Sequence, residues 1–160
     1  IGEGLMPVWI FLAVAALFWL ILKFTLYGKY TYAIGSNEAA ARMSGINVER
    51  HLFRVYVIAA LLAGLAGLVL TARSLTAQAL FGVNNELDAI AMAVIGGVSL
   101  SGGRGSVIGT AIGMLIFGVI FSGFIFLSVD AYYQNIVKGA IIMGAVALDQ
   151  WRQKRAALAV

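Results

Sequence analysis

Long apolar runs separated by short polar stretches organise this chain. The first run, Pro7 to Leu26, holds twenty residues and one charge, Lys23, near its end. About 20 apolar residues cross a hydrocarbon core of roughly 30 Å, so a transmembrane helix is expected. Pro7 suits its first turn, where a missing N–H costs nothing. Tyr27, Tyr30 and Tyr32 follow, with Lys23 and Lys29 among them, the aromatic and basic mixture of a membrane–water interface. A second run, Leu52 to Ala72, predicts another span, with Ala59, Ala63 and Gly67 as a small-residue stripe that would let helices approach closely. A third, Leu87 to Leu100, is shorter. The fourth, Val107 to Leu127, and the fifth, Tyr132 to Leu148, are separated by a turn at Asp130, and Trp151 marks the far interface.

One polar stretch, residues 28–51, contains its own helix signal. Asn37 can cap a helix running Glu38-Ala39-Ala40-Ala41-Arg42-Met43-Ser44, and Gly45 can stop it. Glu38 and Arg42 stand four apart in the favourable order for a helical ion pair. An ordered loop with a helix of about two turns is expected, with Ala39, Ala40 and Met43 as a small apolar face suited to a partner's groove or, alternatively, to the membrane surface.

Charge sets the orientation. Lys23, Lys29, Arg42, Arg50, Arg54, Arg104, Arg152, Lys154 and Arg155 all fall on one side of the crossings if the third run also crosses. Basic loops remain in the cytoplasm. Five crossings are therefore predicted, amino end outside and carboxyl end inside, the third extended by a half-helix in Thr76 to Gly82. Arg73 is left outside. Composition agrees: the chain is 62% apolar and 11% charged, against roughly 45–50% and about 25% in soluble domains. Mean hydropathy is +0.97. The net charge of +4 is spread between spans, which fits an anionic lipid surface rather than nucleic acid. There is no cysteine and one histidine, so neither a disulfide framework nor a metal cluster is expected. The chain opens on Ile1 without a basic signal-peptide region. It reads as the C-terminal part of a longer protein.

Candidate chemistry is sparse. Gly97 to Gly102 has the spacing of a phosphate loop, but Gly103 and Arg104 stand where Lys and Ser/Thr are needed. Gly103-Arg104-Gly105 lacks the strand and acidic partner of a dinucleotide turn. Leu100-Ser101-Gly102-Gly103-Arg104 looks like an ATPase signature peptide without the accompanying phosphate loop. No catalytic, cofactor-binding or metal residue is expected. His51, beside Arg50, reads as an exposed interface residue. Seven glycines lie between positions 96 and 113 (Gly96, Gly97, Gly102, Gly103, Gly105, Gly109 and Gly113). They read either as a tightly packed hinge between two helices or as simple close packing of helix ends. Glu86 and Asp88 read as an acidic first helical turn or as a relay on a translocation path. Lys138, about two turns into the last run, either snorkels outward or faces the interior as a functional charge. Gln78, Phe121, Ser122 and Phe124 are further candidates for contact with a solute.

The run Tyr32-Ala33-Ile34-Gly35-Ser36-Asn37-Glu38-Ala39-Ala40, then Ser44-Gly45-Ile46-Asn47-Val48, resembles the permeases of ribose-type ATP-binding-cassette sugar importers. So do Glu86-Leu87-Asp88-Ala89-Ile90-Ala91, Val94-Ile95-Gly96-Gly97, Ser101-Gly102-Gly103-Arg104-Gly105, Tyr132-Tyr133-Gln134 and Ile136-Val137-Lys138-Gly139. The resemblance covers Tyr27 to about Asp149 and matches the C-terminal half of a permease about twice as long. It implies an all-α transmembrane bundle of the bacterial inner membrane. It also implies a second permease subunit, a cytoplasmic ATPase and a periplasmic solute-binding protein, importing a monosaccharide or similar polar solute. Residues 28–51 would then hold the coupling element that docks on the ATPase, through Asn37, Glu38, Ala39, Ala40, Arg42 and Gly45. In the general importer pattern a glycine follows Glu-Ala-Ala after three residues; here Gly45 follows after four. A secondary transporter or channel fragment independent of ATP is the alternative. It should carry coordinating or charged groups at mid-membrane, of which the spans hold few.

Overall fold

The computed structural model describes residues 4–76, 78 and 82–157, without side chains at 131, 145, 148–149 and 152–157. Among these residues all regular structure is helical: α1 (Met6–Phe24), α2 (Leu26–Ser36), α3 (Glu38–Met43), α4 (Val48–Ser74), α5 (Asn85–Ile95), α6 (Val107–Phe126) and α7 (Ala131–Ala157). The chain divides into two compact units, 1–83 and 84–160.

In the first unit, α1 ends where Thr25 turns extended (φ −107°, ψ 160°). The Thr25 hydroxyl then accepts from the Gly28 N–H at 3.4 Å and starts α2. This helix departs from the expected arrangement, in which Tyr27, Tyr30 and Tyr32 stand in a polar stretch carrying one short helix. The threonine cap between two apolar helices is the signal for it. Gly28 lies against the Leu22 carbonyl, so a side chain there would force α1 and α2 apart. Asn37 ends α2 in an extended conformation and caps α3, and Asn47 caps α4. Two short turns of chain thus fold α2, α3 and the start of α4 around a small core of Ile34, Ala41 and Val48, with Ile46 packed on it.

In the second unit, α5 and α6 form an antiparallel hairpin and α7 packs on α5. Ser106 caps α6 by accepting from the Gly109 N–H at 3.0 Å. A tight turn with Ser128 at φ +52° leads to α7, where Asp130 Oδ1 accepts from the Tyr132 N–H at 2.9 Å.

Among the described residues, three helices are long and apolar enough to cross a membrane: Met6–Phe24, Val48–Ser74 and Val107–Phe126. They correspond to the first, second and fourth expected spans. The third run forms a short helix, as its length leads one to expect. α5 has eleven residues, about 16 Å at 1.5 Å per residue, half of a hydrocarbon core. Of the half-helix expected from Thr76 to Gly82, residues 77 and 79–81 lie outside the described set, and Thr76 and Gln78 are not helical. α7 is 27 residues long; the side chains of Arg152, Lys154 and Arg155 lie outside the described set.

Only five hydrophobic side chains among the described residues are buried: Ile34, Ala41, Val48, Ala91 and Phe117. Trp9, Leu61, Leu115 and Val119 stand exposed on the three apolar helices. Water does not tolerate contiguous apolar surface on this scale, whereas helices, with every backbone group satisfied internally, are stable in lipid.

Candidate functional site

Among the described residues two places concentrate polar chemistry, one in each unit. The first is the bracket around α3. The Asn37 side chain accepts from the Ala40 N–H at 3.0 Å, closing the first turn. Ser44 closes the last turn, its hydroxyl donating to the Ala40 carbonyl at 2.9 Å. Gly45 follows at φ +82°, a left-handed conformation that a side chain would strain by about 1–2 kcal/mol. Its N–H donates to the Arg42 carbonyl at 3.0 Å. The expected cap, ion pair and stop are therefore all present. Arg42 donates to Glu38 at 2.8 Å and reaches Glu49 at 3.3 Å, so it ties α3 to the start of α4. The Glu38 carboxylate, and then that of Glu49, hold the Arg42 guanidinium above its usual pKa through hydrogen bonds. All three groups face solvent, so the pairs contribute little to stability.

The faces of α3 divide cleanly. Ala41 is buried against Ile34 and Val48. Ala39 and Ala40 point away from this core, and Met43 is 87% exposed. Behind the bracket, His51 corrects the sequence reading. It is only 5% exposed, with Nε2 2.9 Å from the Thr31 hydroxyl and its ring 4.7 Å from Tyr27. Tyr27 and Tyr30, read as interface anchors, build this pocket once α2 forms, which the local sequence does not reveal.

The second place is the α5–α6–α7 packing. A Cβ on Gly113 would strike the Met92 carbonyl, and Cβ atoms on Gly96 and Gly109 would strike each other's carbonyls. These three glycines are therefore a backbone contact between helices, the close-packing reading. Gly97, Gly102, Gly103 and Gly105 lie in the connecting loop with positive φ. Val98 fills the space a side chain on Gly105 would need.

This contact fixes the level of Asp88. Met92 faces Gly113, and the helices run antiparallel, so Asp88, one turn back, stands level with Phe117. Lys138 of α7 meets it there: Nζ donates to Oδ2 at 3.0 Å and lies 2.7 Å from Oδ1. The shorter contact lacks hydrogen-bond geometry, which leaves Oδ1 buried with a charge contact alone. Nζ also lies 5.0 Å from the centre of the Phe121 ring. Phe121 stacks on buried Phe117 at 4.3 Å. On a helix from Val107 to Phe126, these rings sit about 15–21 Å from the amino end of a rod about 30 Å long. Asp88 stands in the first turn of α5. Lys138 and Asp88, separately ambiguous in sequence, are partners; Glu86 is not part of the pair.

Apolar helices of spanning length, a polar bracket between two of them and a charge pair held among helices define a multi-pass membrane protein. The chain belongs to the family described as branched-chain amino acid transport system, permease component, whose model matches residues 3–146. It is 48% identical over 147 residues to the ribose import permease of Escherichia coli strain K12, which covers 92% of this chain and 46% of that protein. The ribose import permease of Bacillus subtilis is 51% identical over 132 residues, 82% of this chain and 41% of that protein. A galactose/methyl galactoside import permease of Haemophilus influenzae is 45% identical over 141 residues, 88% of this chain and 42% of that protein. The chain thus spans about half the length of the curated relatives it matches. No solved structure matches it significantly.

Proposed function

We propose that this chain is part of the permease subunit of an ATP-binding-cassette importer of the bacterial inner membrane. It translocates a monosaccharide or similar polar solute by alternating access, driven by a partner ATPase. The reading extends to a second permease subunit and a periplasmic solute-binding protein as partners. Residues 1–160 are then a partial permease domain with five crossings, the third broken at α5, amino end outside and carboxyl end inside. The import of ribose and galactose by relatives supports the solute class.

The observation that carries the reading is the division of α3. One face is locked onto α2 and α4 through Ala41, and the other presents Ala39, Ala40 and Met43 with nothing of this unit over them. A short helix with an anchored back and a bare apolar front can receive a push and pass it to the spans behind it. Residues 28–51 are thus the coupling loop, with Asn37, Glu38, Ala39, Ala40, Arg42 and Gly45 building the docking element. Glycine contacts at Gly96, Gly109 and Gly113 let α5 and α6 move as one body, joined by the loop through Gly97, Gly102, Gly103 and Gly105. Asp88 and Lys138 belong to the translocation path.

The test is coupling. In the assembled transporter in proteoliposomes, Glu38→Arg should leave basal ATP hydrolysis intact and abolish sugar uptake. Wild-type uptake with wild-type stimulation of ATP hydrolysis would remove the coupling assignment. An ATP-independent carrier is recognised separately: uptake would persist in vesicles lacking nucleotide.

A further inference from the structure

Three observations on the second unit converge on Asp88 and Lys138. Their side chains retain 21% and 19% exposure, so the pair is neither sealed nor free in solvent. It lies at the level of Phe117 and Phe121 of α6, where α5, α6 and α7 meet. It is bordered by an aromatic ring, Phe121, itself braced by Phe117 and by an edge contact with Phe124 at 5.5 Å. A buried ion pair is a weak source of stability, because desolvation offsets most of the attraction. Holding α5 to α7 could be done as well by two apolar side chains. A charge pair set among apolar helices that stays partly exposed calls for a polar visitor.

We infer that Asp88, Lys138 and Phe121 form a subsite for a vicinal diol of the solute. The inference rests on the proposed importer function and names the chemistry that the path recognises. An ammonium beside a carboxylate offers donors and an acceptor about 3 Å apart, the spacing of hydroxyls on adjacent carbons. One hydroxyl donates to Asp88 Oδ2, and its neighbour accepts from a remaining Lys138 N–H. The ammonium carries three donors, and one suffices for Asp88 Oδ2. Such charge-assisted hydrogen bonds are the stronger kind. The C–H face of the sugar then lies on the Phe121 ring. Each charge keeps a partner when the solute leaves, so the empty site does not strand an ion in lipid.

The test uses the assembled transporter in proteoliposomes, with D-ribose and a panel of its analogues each lacking one hydroxyl. The double variant Asp88→Leu/Lys138→Met replaces the pair by apolar side chains that can still pack. Its KM for ribose should rise about tenfold or more, the loss of at least one charge-assisted hydrogen bond. Its preference for ribose over the diol-deficient analogues should fall toward unity. The binding protein is the same in both preparations, so the change in preference reports the membrane site. Phe121→Leu keeps the pair and should raise KM severalfold with little change in kcat; it carries the test if the double variant does not assemble. Wild-type KM and preference in the double variant, or in Phe121→Leu if that variant alone assembles, overturn the subsite. If the unaltered transporter takes up none of ribose, galactose or allose, the importer reading fails first and the subsite falls with it.

Discussion

At the scale of single residues, backbone conformation and close approach decide what can change. Gly113 faces the Met92 carbonyl and Gly96, and nothing flexible stands in the way to yield. Gly113→Val should therefore destabilise the α5–α6 hairpin by about 1–3 kcal/mol, as overpacked helix contacts do. Thermal unfolding in detergent should show a lowered midpoint. Gly118→Ala is the matched control, because nothing lies within 4 Å of its Cβ position; its midpoint should stay within about 0.5 kcal/mol of wild type in equivalent stability. Asn37 is the other sensitive residue. It ends α2 and caps α3 at once, so Asn37→Ala should cost about 1 kcal/mol. Asn37, Glu38, Arg42 and Gly45 were legible in the sequence because caps, ion pairs and stops are local: each partner lies within a few positions. The Asp88–Lys138 pair was not, because its members are fifty positions apart.

At the scale of elements, α3 makes the sharpest prediction. Its two faces should separate folding from coupling. Ala41→Leu enlarges a side chain wedged against Ile34 and Val48 and should lower stability and transport together. Met43→Glu alters a side chain that touches no core and should leave the unfolding midpoint in place while weakening the link between ATP hydrolysis and uptake. Parallel measurement of melting and coupled transport checks both; equal loss of stability in the two variants would remove the distinction. α2 shows why element boundaries escaped the pattern. Its tyrosines and lysine have the composition of an interface, and only the Thr25 cap signals a helix. His51 is buried because α2 exists to cover it, through Thr31 and Tyr27.

At the scale of the whole molecule, lipid is the missing half of the packing. Gly64 and Gly67 on α4 have nothing within 4 Å. The stripe of Ala59, Ala63 and Gly67 is therefore not used within its own unit. The charge distribution carries the topology prediction: a cysteine placed after Arg155 should be labelled by an impermeant thiol reagent only after the membrane is opened. Labelling from outside in intact cells would reverse the proposed orientation. The amino-acid sequence by itself determined the solvent, the apolar helices and the design of the α3 bracket, since hydrophobic length and local capping depend on neighbours along the chain. The tertiary structure alone decided that His51 is covered and that two ambiguous charges are partners beside Phe121. Those outcomes depend on which helices meet and in what register, and in the second unit backbone contacts at Gly96, Gly109 and Gly113 set that register.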